Sequence, residues 1–489
     1  MGAAEITDNY SHENDESYLE GEIADFNALS EDIEKSVESK NFKLTKDYIN
    51  SNGNYTDGIS VNIDDLVIDG QGHTIDANKK SRVFKINARN VVLKNISIVN
   101  GNFDNHGGGI YWLGENGTVD SSVFINCNSS KSGGAVFFKN TATLTNSVFK
   151  DNKAYFGGAV DFEEICIISN SKFSNNSATF LGGGVFCFDF GEFLNTLFED
   201  NIAGDGGGIY FSKTGIVNKS VFNYNYAIGY GGAIISDSNV VISNSTFFNN
   251  YGKFGGVLYF KDSGVVDKSI FRNNRAESGG VISGVENVAV NHSIFVNNSA
   301  TTTGGAVSYT GKSISINNSE FTYNDANTSN SIYISSNSAE VVNCVFNNLV
   351  STYDSEIYVN AKKSSINNLS FNNVTLPVEE NTSQVNVVVN NTKNILIKIK
   401  TTIKAKSATF KASLKTKKYT VYLKSSKAIS NKKLKLKIKG KTFTAKTNRK
   451  GKAVFKIKLN KKGKFKSKIS FAGDNLFNSC KKQVLIKIY

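Results

Sequence analysis

Pairs of glycines begin at positions 107, 133, 157, 182, 206, 231, 255, 279 and 304, so one signal returns every 24 to 26 residues through much of a 489-residue chain. Each pair leads into a short apolar run such as Ala135-Val136-Phe137-Phe138. A second marker keeps the same beat: Phe, then Asn three residues on, then a small residue two further, as in Phe149/Asn152/Ala154, Phe222/Asn225/Ala227 and Phe321/Asn324/Ala326. A fixed period of this kind marks a solenoid in which each repeat is one turn that buries its apolar side against the next. A turn of about 25 residues accommodates three short strands and three bends, and turns stack at ~4.8 Å. The pattern therefore predicts an all-β fold, a right-handed parallel β-helix.

In such a stack, equivalent residues lie above one another. Phe over Phe would fill the interior with stacked rings, and Asn over Asn would form an amide ladder. The Gly pair would admit unusual dihedrals or a close backbone approach at a bend. Ser331 to Ile334 with Phe346, and Glu356 to Val359 with Phe371, continue the register without glycines, while Leu66 to Ile75 and Val91 to Ile98 supply earlier turns. The β-helix is thus expected over 60–376, with about thirteen turns making a rod on the order of 60 Å long. An open solenoid end needs covering. Phe26, Leu29, Ile33 and Val37 recur at helical spacing behind Asp25, which predicts an amphipathic helix from Asp25 to Ser39 inside an N-terminal cap over 22–59.

After Pro377 the repeat fades through a stretch, 377–395, that reads as a linker or a last turn. Beyond it Leu434, Leu436 and Ile438, then Ala453, Phe455, Ile457 and Leu459, alternate with lysines. Period two with one polar face means half-buried antiparallel strands. Turns at Gly440-Lys441, Asn448 to Gly451 and Lys462-Gly463 would space them as a meander, and 396–489 has the size of an Ig-like β-sandwich.

The charge is divided along the chain. From Lys393 onward 31 Lys and Arg face one acid, Asp474, whereas the remainder holds 25 bases and 42 acids. The bases are almost all Lys on alternating strand positions, which argues against nucleic acid and for solvated faces or contact with an anionic cell envelope. The absence of any long apolar tract leaves no integral membrane segment to expect. Cys127, Cys166, Cys187, Cys344 and Cys480 form no CxxC pair and no metal-ligand spacing, and read as small apolar filler. The start, Met1-Gly2-Ala3-Ala4-Glu5 followed by an acidic tail over 1–21, resembles what remains after a secretory signal is removed, which would make the protein secreted or surface-exposed.

The Gly-Gly-Ala-Val and Phe-x-x-Asn elements resemble the repeats of chlamydial polymorphic outer-membrane proteins, which are adhesins with β-helix passengers. A C-terminal transmembrane barrel, which those proteins carry, is not evident here. A nearer resemblance is to adhesin-like surface proteins of methanogenic archaea. In these an opening like Asp69-Gly70-Gln71-Gly72-His73-Thr74-Ile75-Asp76 leads into Gly-Gly turns, and Ig-like domains follow with endings like Ile469-Ser470-Phe471-Ala472-Gly473-Asp474. The resemblance covers about 22–489 and implies export, surface attachment and adhesion, with another cell's surface or a glycan as partner.

Parallel β-helices also carry polysaccharide lyases and glycoside hydrolases, so fold alone does not decide function. A secreted carbohydrate-active enzyme or a purely structural envelope component stand as alternatives to an adhesin. The four histidines and five arginines complete neither a hydrolase nor a lyase pattern, so no catalytic residue and no cofactor is expected. Asp161, Glu163 and Glu164 on one turn with Asp189 and Glu192 on the next form the best acid cluster, read as a solvated face; Asp161, Glu163 and Asp189 could hold Ca²⁺. His73 and the Asp104/His106 pair read as structural turn residues. Tyr155, Phe156, Phe180, Tyr226 and Tyr230 at the bends could stack on sugar rings. About fifteen Asn-x-Ser/Thr sequons, Asn95, Asn116, Asn218, Asn244 and Asn291 among them, would permit glycosylation of a secreted chain.

Overall fold

A computed structural model describes residues 21–347, 355–372, 378–380, 387–388, 401–424, 429–473 and 479–489. The expected acidic tail, apart from Gly21, lies outside these residues, as do Pro377, most of 377–395 and Asp474.

The first unit is a parallel β-solenoid of about 14 turns. One sheet stacks fifteen strands in chain order, from Ile23–Asp25 through Val123–Ile125 to Ser370–Asn372. A second stacks ten short strands, from Asn102–Phe103 to Asp325–Thr328. The third contains twenty-seven strands in two columns, which merge where Ile332–Val342 and Ile357–Asn367 each run on from one column into the other. Register is set by the repeat: Phe124 pairs with Phe149, Phe149 with Phe173 and Phe173 with Phe198. Their rings stack at 4.8, 4.9 and 4.9 Å with planes within 6° of parallel, and the ladder continues to Phe371. These side chains are fully buried in one continuous core. Apolar burial at this density is what holds the coil together, since each turn alone has no second face to cover it.

The glycines explain the coil's tightest corner. Gly133 takes a left-handed φ of 64°. A Cβ on the next residue, Gly134, would lie 2.1 Å from the carbonyl oxygen of Gly158 on the following turn. The first glycine is needed for its dihedral and the second for the approach of two backbones. At the other corners the left-handed residue is most often Asn, as at Asn146, Asn170 and Asn195, whose short polar side chain tolerates that region. Among the named sequons, Asn95, Asn116 and Asn244 are exposed and sit at such corners, whereas Asn218 and Asn291 are half-buried.

At the start of the solenoid a helix spans Phe26–Glu34, shorter than expected, with the Asp25 carboxylate accepting from the Ala28 N–H as N-cap. Phe26, Leu29 and Ile33 join the solenoid core, but Val37 is exposed, because the helix ends before reaching it. Asn41–Lys43 and Asp47–Ile49 already pair in parallel with Val67–Asp69 and Thr74–Asp76, so rungs begin well before residue 60. At the far end Val378–Glu380 and Val387–Val388 pair in parallel with Ile357–Asn367.

A separate core forms between residues 403 and 488. Thr402–Lys404, Lys417–Lys424 and Lys452–Ile457 make a three-stranded antiparallel sheet. Ala408–Phe410, Lys433–Ile438, Lys441–Lys446, Gly463–Phe471 and Cys480–Ile488 make a five-stranded one. The expected meander is corrected: Lys452–Ile457 crosses to the other sheet, and Ala408–Phe410 pairs in parallel with Cys480–Ile488. Leu434, Leu436, Ile438, Ala453, Phe455 and Ile457 thereby reach one core from both sides while the interleaved lysines face water.

Candidate functional site

The outward side chains of one solenoid column do not all reach solvent. Tyr111, Phe137, Asp161, Phe186, Tyr210, Ile235 and Tyr259 succeed one another on paired rungs. The corner just before each Gly pair folds over them: His106 meets Phe137 at 4.6 Å, Phe156 meets Phe186 at 5.6 Å and Tyr230 meets Tyr259 at 4.5 Å. Column and corner together make an aromatic groove along the solenoid. Such corners are local because the left-handed glycine that follows turns the chain back at each turn.

Asp161 interrupts this aromatic run. It takes the rung between Phe137 and Phe186, is 3% exposed, and its Oδ1 has no hydrogen-bond partner. Burial raises its carboxyl to about 7, against a hydrogen bond from Ser132 that lowers it and the nearby Glu163 charge that raises it further. A cavity of about 410 Å³ opens beside it, lined by Phe137, Phe156, Phe186 and Phe188 with Lys139, Asn140, Glu163 and Glu164. Toward the N-terminal end of the groove, Asn105 Oδ1 and His106 Nδ1 are also buried without partners. Burial lowers the His106 imidazole's affinity for a proton, and neighbouring Lys131 lowers it again. Arg82 lies 3.5 Å over the Phe103 ring and 4.8 Å from Tyr111. Its Nη2 pairs with Asp57 at 3.2 Å, while Nε and Nη1 are buried without acceptors. The far end is closed differently: Tyr210 donates to Asp237, which also pairs with Lys261 at 2.7 Å.

The expected solvated acid cluster is corrected by this geometry. Asp161 lies mid-strand under Phe156 and Phe186, whereas Glu163 and Glu164 lie past the strand end and Asp189 and Glu192 on the surface. Glu163 pairs with Lys139 and Asp189 with Lys213 at 2.9 Å. Among the described residues no three His, Cys, Asp or Glu side chains converge as a metal site.

The five bend aromatics divide into two groups. Phe156 and Tyr230 are half-buried on the groove. Tyr155, Phe180 and Tyr226 are exposed on the short sheet's outer side, where Tyr155 stacks on Phe180 at 5.7 Å and Tyr226 on Tyr251 at 5.1 Å. His73 binds Asp47 through Nδ1 at 3.0 Å, tying two turns together. Phe137, Phe186, Tyr210 and Tyr259 were not singled out by sequence reasoning, although their common offset of four residues from the first glycine of each pair carries the signal.

Fold and groove define a parallel β-solenoid repeat protein with an aromatic lateral cleft. A model of the Chlamydia polymorphic membrane protein repeat matches residues 195–212, which span the Phe198/Asn201/Ala203 marker and the glycines from Gly206 to Gly208. No curated protein matches the chain. Among the described residues no helix is long and apolar enough to cross a membrane.

Proposed function

We propose that this chain is an exported surface protein whose solenoid groove binds a glycan, the contact by which an adhesin attaches to another cell. One observation carries the reading: Asp161 presents a buried carboxyl oxygen without a partner to a cavity walled by four phenylalanines. Apolar rings stack on sugar faces, and a few convergent polar atoms fix their orientation. A buried polar atom left unpaired costs free energy, which a ligand hydroxyl would recover. The match to a membrane-protein repeat agrees with a surface location.

Under this reading the Phe26–Glu34 helix caps a β-helix whose rungs run from Ile23–Asp25 to Val387–Val388, beyond the expected 60–376 at both ends, and 396–489 is an Ig-like stalk. The likeness to methanogen surface proteins supports the same arrangement. Ca²⁺ is not required, because Glu163 and Asp189 each have a lysine partner. Tyr155, Phe180 and Tyr226 offer a second, flatter contact strip.

Saturable binding of the purified chain to a glycan array, lost in Phe186→Ala and Asp161→Ala, is the expected result. Binding to no glycan and no cell surface would reject the proposal. One feature favours a carbohydrate-active enzyme instead: a carboxyl held near 7 resembles a general acid. A glycosidase needs a second carboxylate across the sugar: Glu163 is engaged by Lys139, whereas Glu164, on the same cavity, accepts from the Thr141 hydroxyl at 3.3 Å and is the carboxylate that this alternative would use. Release of reducing ends or unsaturated products from polysaccharides, abolished by Asp161→Ala, would establish that alternative.

A further inference from the structure

The C-terminal unit carries a second concavity, at one end of its two sheets. Three segments meet there. Lys439 and Lys441 flank the tip of the hairpin between Lys433–Ile438 and Lys441–Lys446, where Lys439 and Gly440 take φ of 45° and 76°. Lys458, Asn460 and Lys461 follow strand Lys452–Ile457, and Lys415 precedes strand Lys417–Lys424. Pairing of Lys417 with Ile457 sets the last two segments side by side. Together they line a cleft of about 720 Å³.

Among the described residues of this unit there is no Asp or Glu to neutralise the cleft. Asp474 is the sole acid after Lys393, against 31 Lys and Arg. Lys439 and Lys461 approach closely, and Lys439 is held below the ordinary lysine range chiefly through a side-chain hydrogen bond with Lys461, then by desolvation and by the charges of Lys461 and Lys441. Beneath the rim, Lys417 is 1% exposed, and its ammonium donates to two neutral oxygens, Leu414 O at 2.7 Å and the cleft residue Asn460 Oδ1 at 3.4 Å. A buried ammonium is ordinarily paired with an anion. Mutually repelling amines converging on one hollow are therefore an arrangement completed by negative charge from outside.

We propose that this lysine-lined cleft binds a polysaccharide bearing repeated anionic groups. Five ammonium groups exceed what one monoanion needs, which selects a polymer. Lysines act as point charges that suit carboxylate, sulfate or phosphate equally, whereas planar bidentate recognition would call for Arg. Single-stranded nucleic acid would require aromatic platforms for base stacking, and the cleft lining contains no aromatic residue. The site is independent of the solenoid groove: loss of glycan binding there would leave it intact.

The test uses the full chain with polygalacturonate, dextran sulfate, neutral dextran and single-stranded DNA as probes, followed by calorimetry at several salt concentrations. Lys439→Gln/Lys441→Gln/Lys461→Gln should weaken binding of at least one anionic polysaccharide by about tenfold or more and flatten the salt slope by about two to three charges. Lys433→Gln/Lys435→Gln/Lys437→Gln removes the same charge from an exposed strand face and should change affinity less than about twofold. Circular dichroism establishes that both variants are folded. Equal losses in the two triple variants, DNA binding as tight as that of the acidic polysaccharides, or no binding of either acidic probe would overturn the proposal. Comparing polygalacturonate with dextran sulfate distinguishes carboxylate from sulfate recognition.

Discussion

The side-chain oxygen of Asn176 accepts twice from Asn152 one turn earlier, from its backbone N–H and from its amide, each at 3.0 Å. The amide of Asn152 also donates to Phe124 O. The relationship repeats through Asn201, Asn225, Asn250, Asn274 and Asn298 to Asn324, all of them buried. A parallel ladder runs through Ser147, Ser171, Ser220 and Ser245, each hydroxyl accepting from a backbone N–H one turn before. Each rung satisfies a bend N–H that the strand pairing misses.

Removing one rung therefore injures its neighbour. Asn225→Ala deprives the Asn201 backbone N–H and amide of their common acceptor. With each orphaned buried group costing about 1–3 kcal/mol, the local loss should be about 3 kcal/mol. Because solenoid stability is a sum over adjacent repeats, hydrogen exchange should show lost protection concentrated in the turns around 195–230 and near-normal protection at 300–346. Uniform loss along the rod would contradict the local ladder.

The second glycine of each pair should tolerate no side chain. A Cβ at Gly232 would stand 2.1 Å from Gly256 O and 2.4 Å from Tyr251 O. Backbone atoms on two sides cannot yield without opening the stack. Gly232→Ala is expected to cost more than about 4 kcal/mol or prevent folding, as read by thermal unfolding. Gly440, unlike Gly232, has positive φ but a Cβ there meets open space, so Gly440→Ala should cost only about 1–2 kcal/mol.

These interior devices were legible in the sequence because translation copies them: a ladder needs the same residue at the same offset, and repetition reveals it. The groove was less legible. Its outer wall varies from Tyr111 and Phe137 to Asp161 and Phe186, so no fixed residue type marks it, and Asp161 read as one of several surface acids. Its burial depends on Phe156 and Phe186 contributed by different turns, a contact visible only after register is known. In the C-terminal unit alternation revealed half-buried strands, but not that Lys452–Ile457 changes sheet, because alternation records a face and not a partner.

Two thiols read as separate filler also meet across the solenoid interior. Cys166 Sγ and Cys187 Sγ lie 2.8 Å apart, both fully buried. Burial keeps both thiols from reagents while the fold is closed, and burial first, and then the neighbouring Cys166, also pushes the Cys187 thiol well up. In the reduced folded chain an alkylating agent should label Cys480, which is partly exposed, and spare the other four. Refolding in oxidised glutathione, which takes up the two electrons and two protons, should link Cys166 to Cys187. Peptide mapping after denaturing alkylation checks this, and a link through Cys127 or Cys344 would contradict the stacking.

Asp161 should make stability depend on pH in a defined direction. Its folded carboxyl is raised from 3.8 to about 7. Below pH 4 it is protonated in folded and unfolded chains alike and contributes no difference. Between pH 4 and 7 the unfolded chain releases the proton first, so stability falls as pH rises, and the loss is complete above 7. At 1.36 kcal/mol per unit the full effect is on the order of 4 kcal/mol. Asp161→Asn keeps the shape and removes the titration. The variant should match the parent near pH 4 and exceed it by several kcal/mol at pH 8 in denaturant unfolding of the solenoid. If the groove's ligand bonds to the neutral acid, parent affinity should also decline above pH 7 while that of Asp161→Asn stays level. Parallel stability profiles for the two proteins across pH 4–8 would show that Asp161 is not held neutral by its burial.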